Sequence, residues 1–106
     1  MVEKEVIEKI NKFVKKLKRN KIAVAKVIVY GSRARGIKHK NSDIDVAIVS
    51  PDFGRDRYEE GARLFEIAST IDPMLEPVPI SQSSYEKDTW IPLIYEIREN
   101  GIEIKL

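Results

Sequence analysis

The chain has no cysteine and a single histidine, His39, among its 106 residues. It can therefore carry neither a disulfide framework nor a thiol nucleophile, and a zinc site built from Cys and His is excluded. Any metal must be held by carboxylates, which favours hard ions such as Mg²⁺ or Mn²⁺. No apolar run approaches the roughly 20 residues that span a membrane. The charged opening MVEKEVIEKINK reads as neither signal peptide nor anchor, so a cytoplasmic location without membrane attachment is the expectation. The net charge of +2 is too small to support nucleic-acid binding by itself.

What the chain does have is charge of both signs, 34% of residues, and a hydrophobic content of 42%. That balance and length fit one domain, residues 1–106, with a single modest core. Residues 2–20 predict an amphipathic helix with Val2, Val6, Ile10, Phe13, Val14 and Leu17 on one stripe. Residues 24–30 are β-branched and run into Gly31, which predicts a strand and a sharp break. Residues 32–36 suit a short helical turn with Ser32 as its N-cap and Gly36 ending it, followed by a basic connection over 37–41. A second strand is predicted over 43–49. A helix is predicted over 56–71, with Tyr58, Leu64, Phe65, Ala68 and Ile71 on its buried face. Residues 75–80 predict a third strand; Pro77 and Pro79 remove N–H groups from one side of it, so it should lie at a sheet edge there or end early. Ser83 and Glu86 have capping-box spacing for a short turn. Residues 89–99 predict a last helix, with Pro92 in its first turn and Gly101 just past its end, and residues 102–106 a short final strand. The order implies an α/β (α+β) fold, a small mixed sheet with helices packed on it.

The chemistry concentrates in VIVYGSRARGIKHKNSDIDVAIVS, residues 27–50. Gly31-Ser32 stands where a strand hands over to a helical turn. A glycine there lets backbone approach a ligand, and the N–H groups with the Ser32 hydroxyl can hold phosphate oxygens. Arg33 and Arg35 add positive charge nearby. Asp43 and Asp45 are two apart on a strand, so they share a face with Cα atoms roughly 6.6 Å apart. Like charges at that spacing repel unless a cation lies between them. Read alone, each half has a plainer alternative: Gly31-Ser32 as an ordinary helix cap, and the aspartates as a solvated strand end.

Together the two halves resemble the DNA polymerase beta superfamily of nucleotidyltransferases. The run Gly31-Ser32-Arg33-Ala34-Arg35-Gly36, five intervening residues, and Ser42-Asp43-Ile44-Asp45 are similar to the form found in its minimal, antitoxin-type members. The resemblance implies a nucleotidyltransferase-like fold and transfer of a nucleoside monophosphate, with ATP the expected donor. Asp43 and Asp45 are then metal-binding and catalytic residues, with Mg²⁺ or Mn²⁺ as cofactor. Gly31, Ser32, Arg33, Arg35 and Ser42 form the nucleotide-binding group. The family's third carboxylate, usually aspartate, falls best on Glu76, which shares its strand parity with Val78 and Ile80; Asp72 is the second candidate. The resemblance also implies a helical HEPN-type protein as partner and acceptor, as in two-component toxin–antitoxin pairs. The competing reading is a catalytically silent module that binds a nucleotide or a partner.

Overall fold

A computed structural model describes residues 2–36 and 43–106. The basic connection with His39, and Ser42 of the expected nucleotide-binding group, lie outside the described residues. The elements follow in the order α1 (Lys4–Arg19), β1 (Lys26–Tyr30), a single 3₁₀ turn (Gly31–Arg33), β2 (Ile44–Ser50), α2 (Arg57–Ser69), β3 (Leu75–Ser81), α3 (Gln82–Lys87), α4 (Pro92–Asn100) and β4 (Ile102–Ile104). The strands form one sheet in the order β3-β2-β1-β4. β1 runs antiparallel to both β2 and β4, and β2 runs parallel to β3. The mixed sheet with helices on it is the fold class expected from the element order.

Side chains alternate across the sheet and divide its apolar content into two layers. Val27 and Val29 of β1 and Ile44, Val46 and Ile48 of β2 meet α1 and α2 in the larger core, together with Ile10, Phe13, Leu17, Leu64 and Ala68. Ile28, Ala47 and Val49 point to the other face, where Ile94 and Ile97 of α4 cover them. Asp45 has the parity of Ala47 and Val49, so its carboxyl emerges on the α4 face. The apolar neighbours Ile44 and Val46 anchor the same strand from behind.

On α2 the buried side is narrower than the sequence pattern suggests. Leu64 and Ala68 are fully buried and Ile71 is partly buried, but Tyr58 is 89% and Phe65 57% exposed. The pattern contains two apolar stripes about 100° apart: Leu64–Ala68–Ile71 packs on the core, whereas Tyr58–Ala62–Phe65 turns outward. Two expected caps also move by a residue or two. The first helical turn starts at Gly31, with Tyr30 before it and no side-chain cap, so Ser32 lies inside the turn. α3 is capped by Ser81, whose hydroxyl accepts from the Ser84 N–H at 3.1 Å, and not by Ser83.

β3 is an edge strand, as its prolines require. Its register is pinned before it begins: Ile44 N–H donates to the Met74 carbonyl at 2.8 Å, and Asp72 accepts from Met74 N–H at 2.8 Å. Lys9 of α1 holds Asp72 at 2.6 Å. The Lys9 hydrogen bond, followed by the Met74 N–H, keeps the Asp72 carboxyl below its usual range. A depressed folded pKa contributes stability above the unfolded value, and that stability is lost as pH falls through the folded one. Lys9→Ala is therefore expected to cost about 1 kcal/mol or less at pH 7. Melting curves across pH check this: the gap from the parent should begin to narrow as pH falls below about 4 and vanish only below the depressed Asp72 value, where that carboxyl is protonated in both proteins. Among the described residues no helix is long and apolar enough to cross a membrane.

Candidate active site

Three strand ends meet at one end of the sheet. Because β1 and β2 are antiparallel, the last residue of β1, Tyr30, lies opposite Asp45 at the start of β2. Because β2 and β3 are parallel, Asp45 also lies opposite Glu76 at the start of β3. Asp43, one residue before β2, is exposed beside them. The topology thus gathers Asp43, Asp45 and Glu76, which are 33 positions apart in sequence at their widest, on the α4 face. Asp72, the second candidate for the third carboxylate, is bound to Lys9 and Met74 before β3 and is not in this row.

The Gly31 turn borders the acids closely. Gly31 has φ +73°, and a Cβ placed there would fall 2.6 Å from Asp45 Oδ2. Glycine is required twice over, by a left-handed backbone and by the carboxylate packed against it. Gly31→Ala should cost roughly 1–2 kcal/mol for the backbone alone and push the Asp45 carboxyl out of place. Thermal denaturation of the variant checks the first part, with a modest fall in melting temperature as the expected outcome.

The electrostatics are those of crowded acids. Burial, and then the Asp43 charge, raise the Asp45 carboxyl above the usual range. Glu76 is also raised, by desolvation first and then by the charge of Asp43, a hydrogen bond with Asp43 and the charge of Asp45. The ion pairs among the described residues, Lys9–Asp72, Arg33–Glu3 and Lys26–Glu103, leave all three acids out. Among the described residues no three acids or imidazoles close into a preformed metal cage. An open, exposed-edge set of carboxylates fits a hard ion that keeps much of its own water. Mg²⁺ binds in that way, through one or two carboxylates and substrate phosphates.

The remaining expected residues separate. Ser32 stands in the turn, half-buried, with backbone bonds running from Ala34 N–H to Gly31 O and from Arg35 N–H to Ser32 O. Arg35 is exposed beside it. Arg33 turns toward α1, where its guanidinium donates to Glu3 at 3.2 Å and its charge reaches Asp72. Tyr30 was not among the residues the sequence singled out. Its position directly before Gly31, with the parity of Asp45 across an antiparallel pair, was the signal that could have found it. Trp90 and Tyr95 are 77% and 55% exposed and belong to neither apolar layer.

The sequence model of the nucleotidyltransferase domain family matches residues 7–101. The chain belongs to that family. Two solved structures agree with this nucleotidyltransferase domain in fold. One, from Sulfolobus solfataricus and provisionally described as a nucleotidyltransferase, superposes with a TM-score of 0.64 at 14% identity, covering 92% of this chain and 77% of that one. At that identity the likeness concerns the fold alone. The other, a toxin–antitoxin structure with AMP-PNP, has a TM-score of 0.60 at 25% identity and covers 92% of this chain and 70% of that one. No curated protein matches the domain.

Proposed function

We propose that this nucleotidyltransferase domain moves a nucleoside monophosphate, AMP from ATP, onto an acceptor hydroxyl with the aid of Mg²⁺ or Mn²⁺. The observation that carries the reading is the row of Asp43, Asp45 and Glu76 beside the Gly31-Ser32 turn. Asp45 and Asp43 would hold the cation, with Glu76 beside them as the base. When bound, the ion supplies charge stabilisation to the attacking and leaving oxygens of an in-line displacement. The backbone of Gly31 and Ser32 and the Ser32 hydroxyl would hold the β- and γ-phosphates. Arg35 is the arginine that faces solvent beside the turn, since Arg33 is engaged with Glu3.

In the reaction the acceptor oxygen bonds to the α-phosphorus and the bond from that phosphorus to the β-bridging oxygen breaks. Pyrophosphate leaves with the electron pair. The acceptor proton passes to Glu76, a carboxylate whose raised proton affinity suits a base. The silent-module reading drew on glutamate standing where the family usually has aspartate. The register that sets Glu76 against Asp45 supports a working role for the longer side chain. For the acceptor, the toxin–antitoxin neighbour supports a protein partner, and a helical HEPN-type chain is the form we propose.

The test uses the purified chain, its candidate partner and ATP labelled at the α or the γ position. Label should reach the partner from α-labelled ATP only, in the presence of Mg²⁺ or Mn²⁺, with pyrophosphate released. Transfer from the γ position, or labelling that survives Asp43→Asn, would overturn the assignment.

A further inference from the structure

Tyr30 has no part in the mechanism above, yet it occupies the third place in the row that crosses the sheet: Tyr30 opposite Asp45, Asp45 opposite Glu76. Directly opposed residues project to the same side with Cβ atoms roughly 4.5–5.5 Å apart. The phenol is therefore an immediate neighbour of the Asp45 carboxyl. Its ring packs against the layer formed by Ile28, Ala47, Val49 and Ile97, which sets its direction, and the residue is half-buried.

Packing alone does not call for a tyrosine here. Phenylalanine would fill the same space without the cost of desolvating a hydroxyl, and the Tyr30 hydroxyl bonds to none of the described residues. A functional requirement does call for one. Ionised carboxylates and phosphate oxygens only accept hydrogen bonds, so a triphosphate beside this row would meet acceptors on every neighbouring acid. A neutral donor at that point relieves the conflict. A phenol, whose ordinary pKa is about 10, stays protonated throughout the neutral range, so the group is a donor there and adds no fourth negative charge.

We infer that the Tyr30 hydroxyl donates a hydrogen bond to a phosphate oxygen of the nucleotide bound beside Asp45 and Glu76. The inference rests on the nucleotide-transfer reading, and binding measurements separate the two. α,β-Methylene-ATP, which cannot be cleaved at the α-phosphorus, is titrated with Mn²⁺ into the parent chain, Tyr30→Phe, Tyr30→Leu and Asp45→Asn. Tyr30→Phe should bind about tenfold or more weakly, the scale of a lost hydrogen bond to a charged group, while melting at or above the parent temperature. Tyr30→Leu should bind no better than the Phe variant. A Phe variant that binds as tightly as the parent overturns the inference, leaving Tyr30 as a wall of the site. Equal binding by Asp45→Asn overturns the nucleotide-site reading itself, and a parent chain that binds nothing overturns both.

Discussion

Asp45→Asn is expected to lower nucleotidyl transfer on the order of 10³-fold or more, about 4 kcal/mol of lost transition-state stabilisation, while leaving the domain as stable as before or more so. The argument for the loss is position. Asp45 is the one acid that touches all the other parts of the candidate site, with Gly31 against its Oδ2, Tyr30 across one strand pair and Glu76 across the other. Asparagine keeps the shape but removes the anion a cation needs. The argument for stability runs the other way. The Asp45 pKa is raised by burial and by Asp43, so the charged form is disfavoured in the folded state, and at neutral pH that charge costs stability. Removing it should therefore raise the melting temperature slightly at pH 7. The difference should shrink as pH falls into the ordinary carboxylate range near 4, where the parent is protonated as well. Steady-state transfer assays paired with melting curves at pH 7 and pH 4 check both halves. A variant that loses activity and also melts far below the parent would mean that Asp45 is a structural acid.

Gly101→Ala is expected to give the largest loss of stability, about 2–4 kcal/mol, or on the order of 10–20 °C in melting temperature for a domain of this size. Glycine after a helix ordinarily signals a left-handed cap, and Gly101 stands just past the end of the last helix. In the structure Gly101 has φ −77° and ψ 160°, an extended conformation open to any residue. What it lacks room for is a side chain. A Cβ would lie far inside van der Waals contact with the Ile97 carbonyl oxygen and with Ile28 Cγ2. The first of these is fixed backbone. Relief would require opening the Gly101 N–H to Ile97 O bond, 3.1 Å, and moving β4 away from its partners on β1. Thermal denaturation of the single variant measures this, and a shift of only a degree or two would show that β4 can slide freely.

These two residues illustrate how far local pattern carries. The motif Gly31-Ser32 with Asp43 and Asp45 was legible because its parts lie within 15 positions and each obeys a short-range rule: a break after a strand, and two side chains on one strand face. Glu76 was legible as a candidate through the family resemblance and its parity with Val78 and Ile80, although nothing in the chain's order says which strand it will lie beside. Arg33 and Arg35 look equivalent in sequence. Only the fold separates them, because the 3₁₀ turn sends Arg33 toward Glu3, the N-cap of α1, and leaves Arg35 in solvent. Tyr58 and Phe65 were read as core since they share apolar character with Leu64; which of two adjacent stripes is buried depends on where the sheet lies, and periodicity is silent on that.

Sequence by itself determined the element order, the mixed α/β character, the glycine turn and the aspartate pair, all features whose physics acts over a few bonds or a few turns. The tertiary structure decided that β2 lies between β1 and β3 with opposite senses of pairing. That arrangement alone brings Tyr30, Asp45 and Glu76 into one row. Such a row depends on strand register between distant segments, a property of the packed sheet as a whole that no local run of residues encodes.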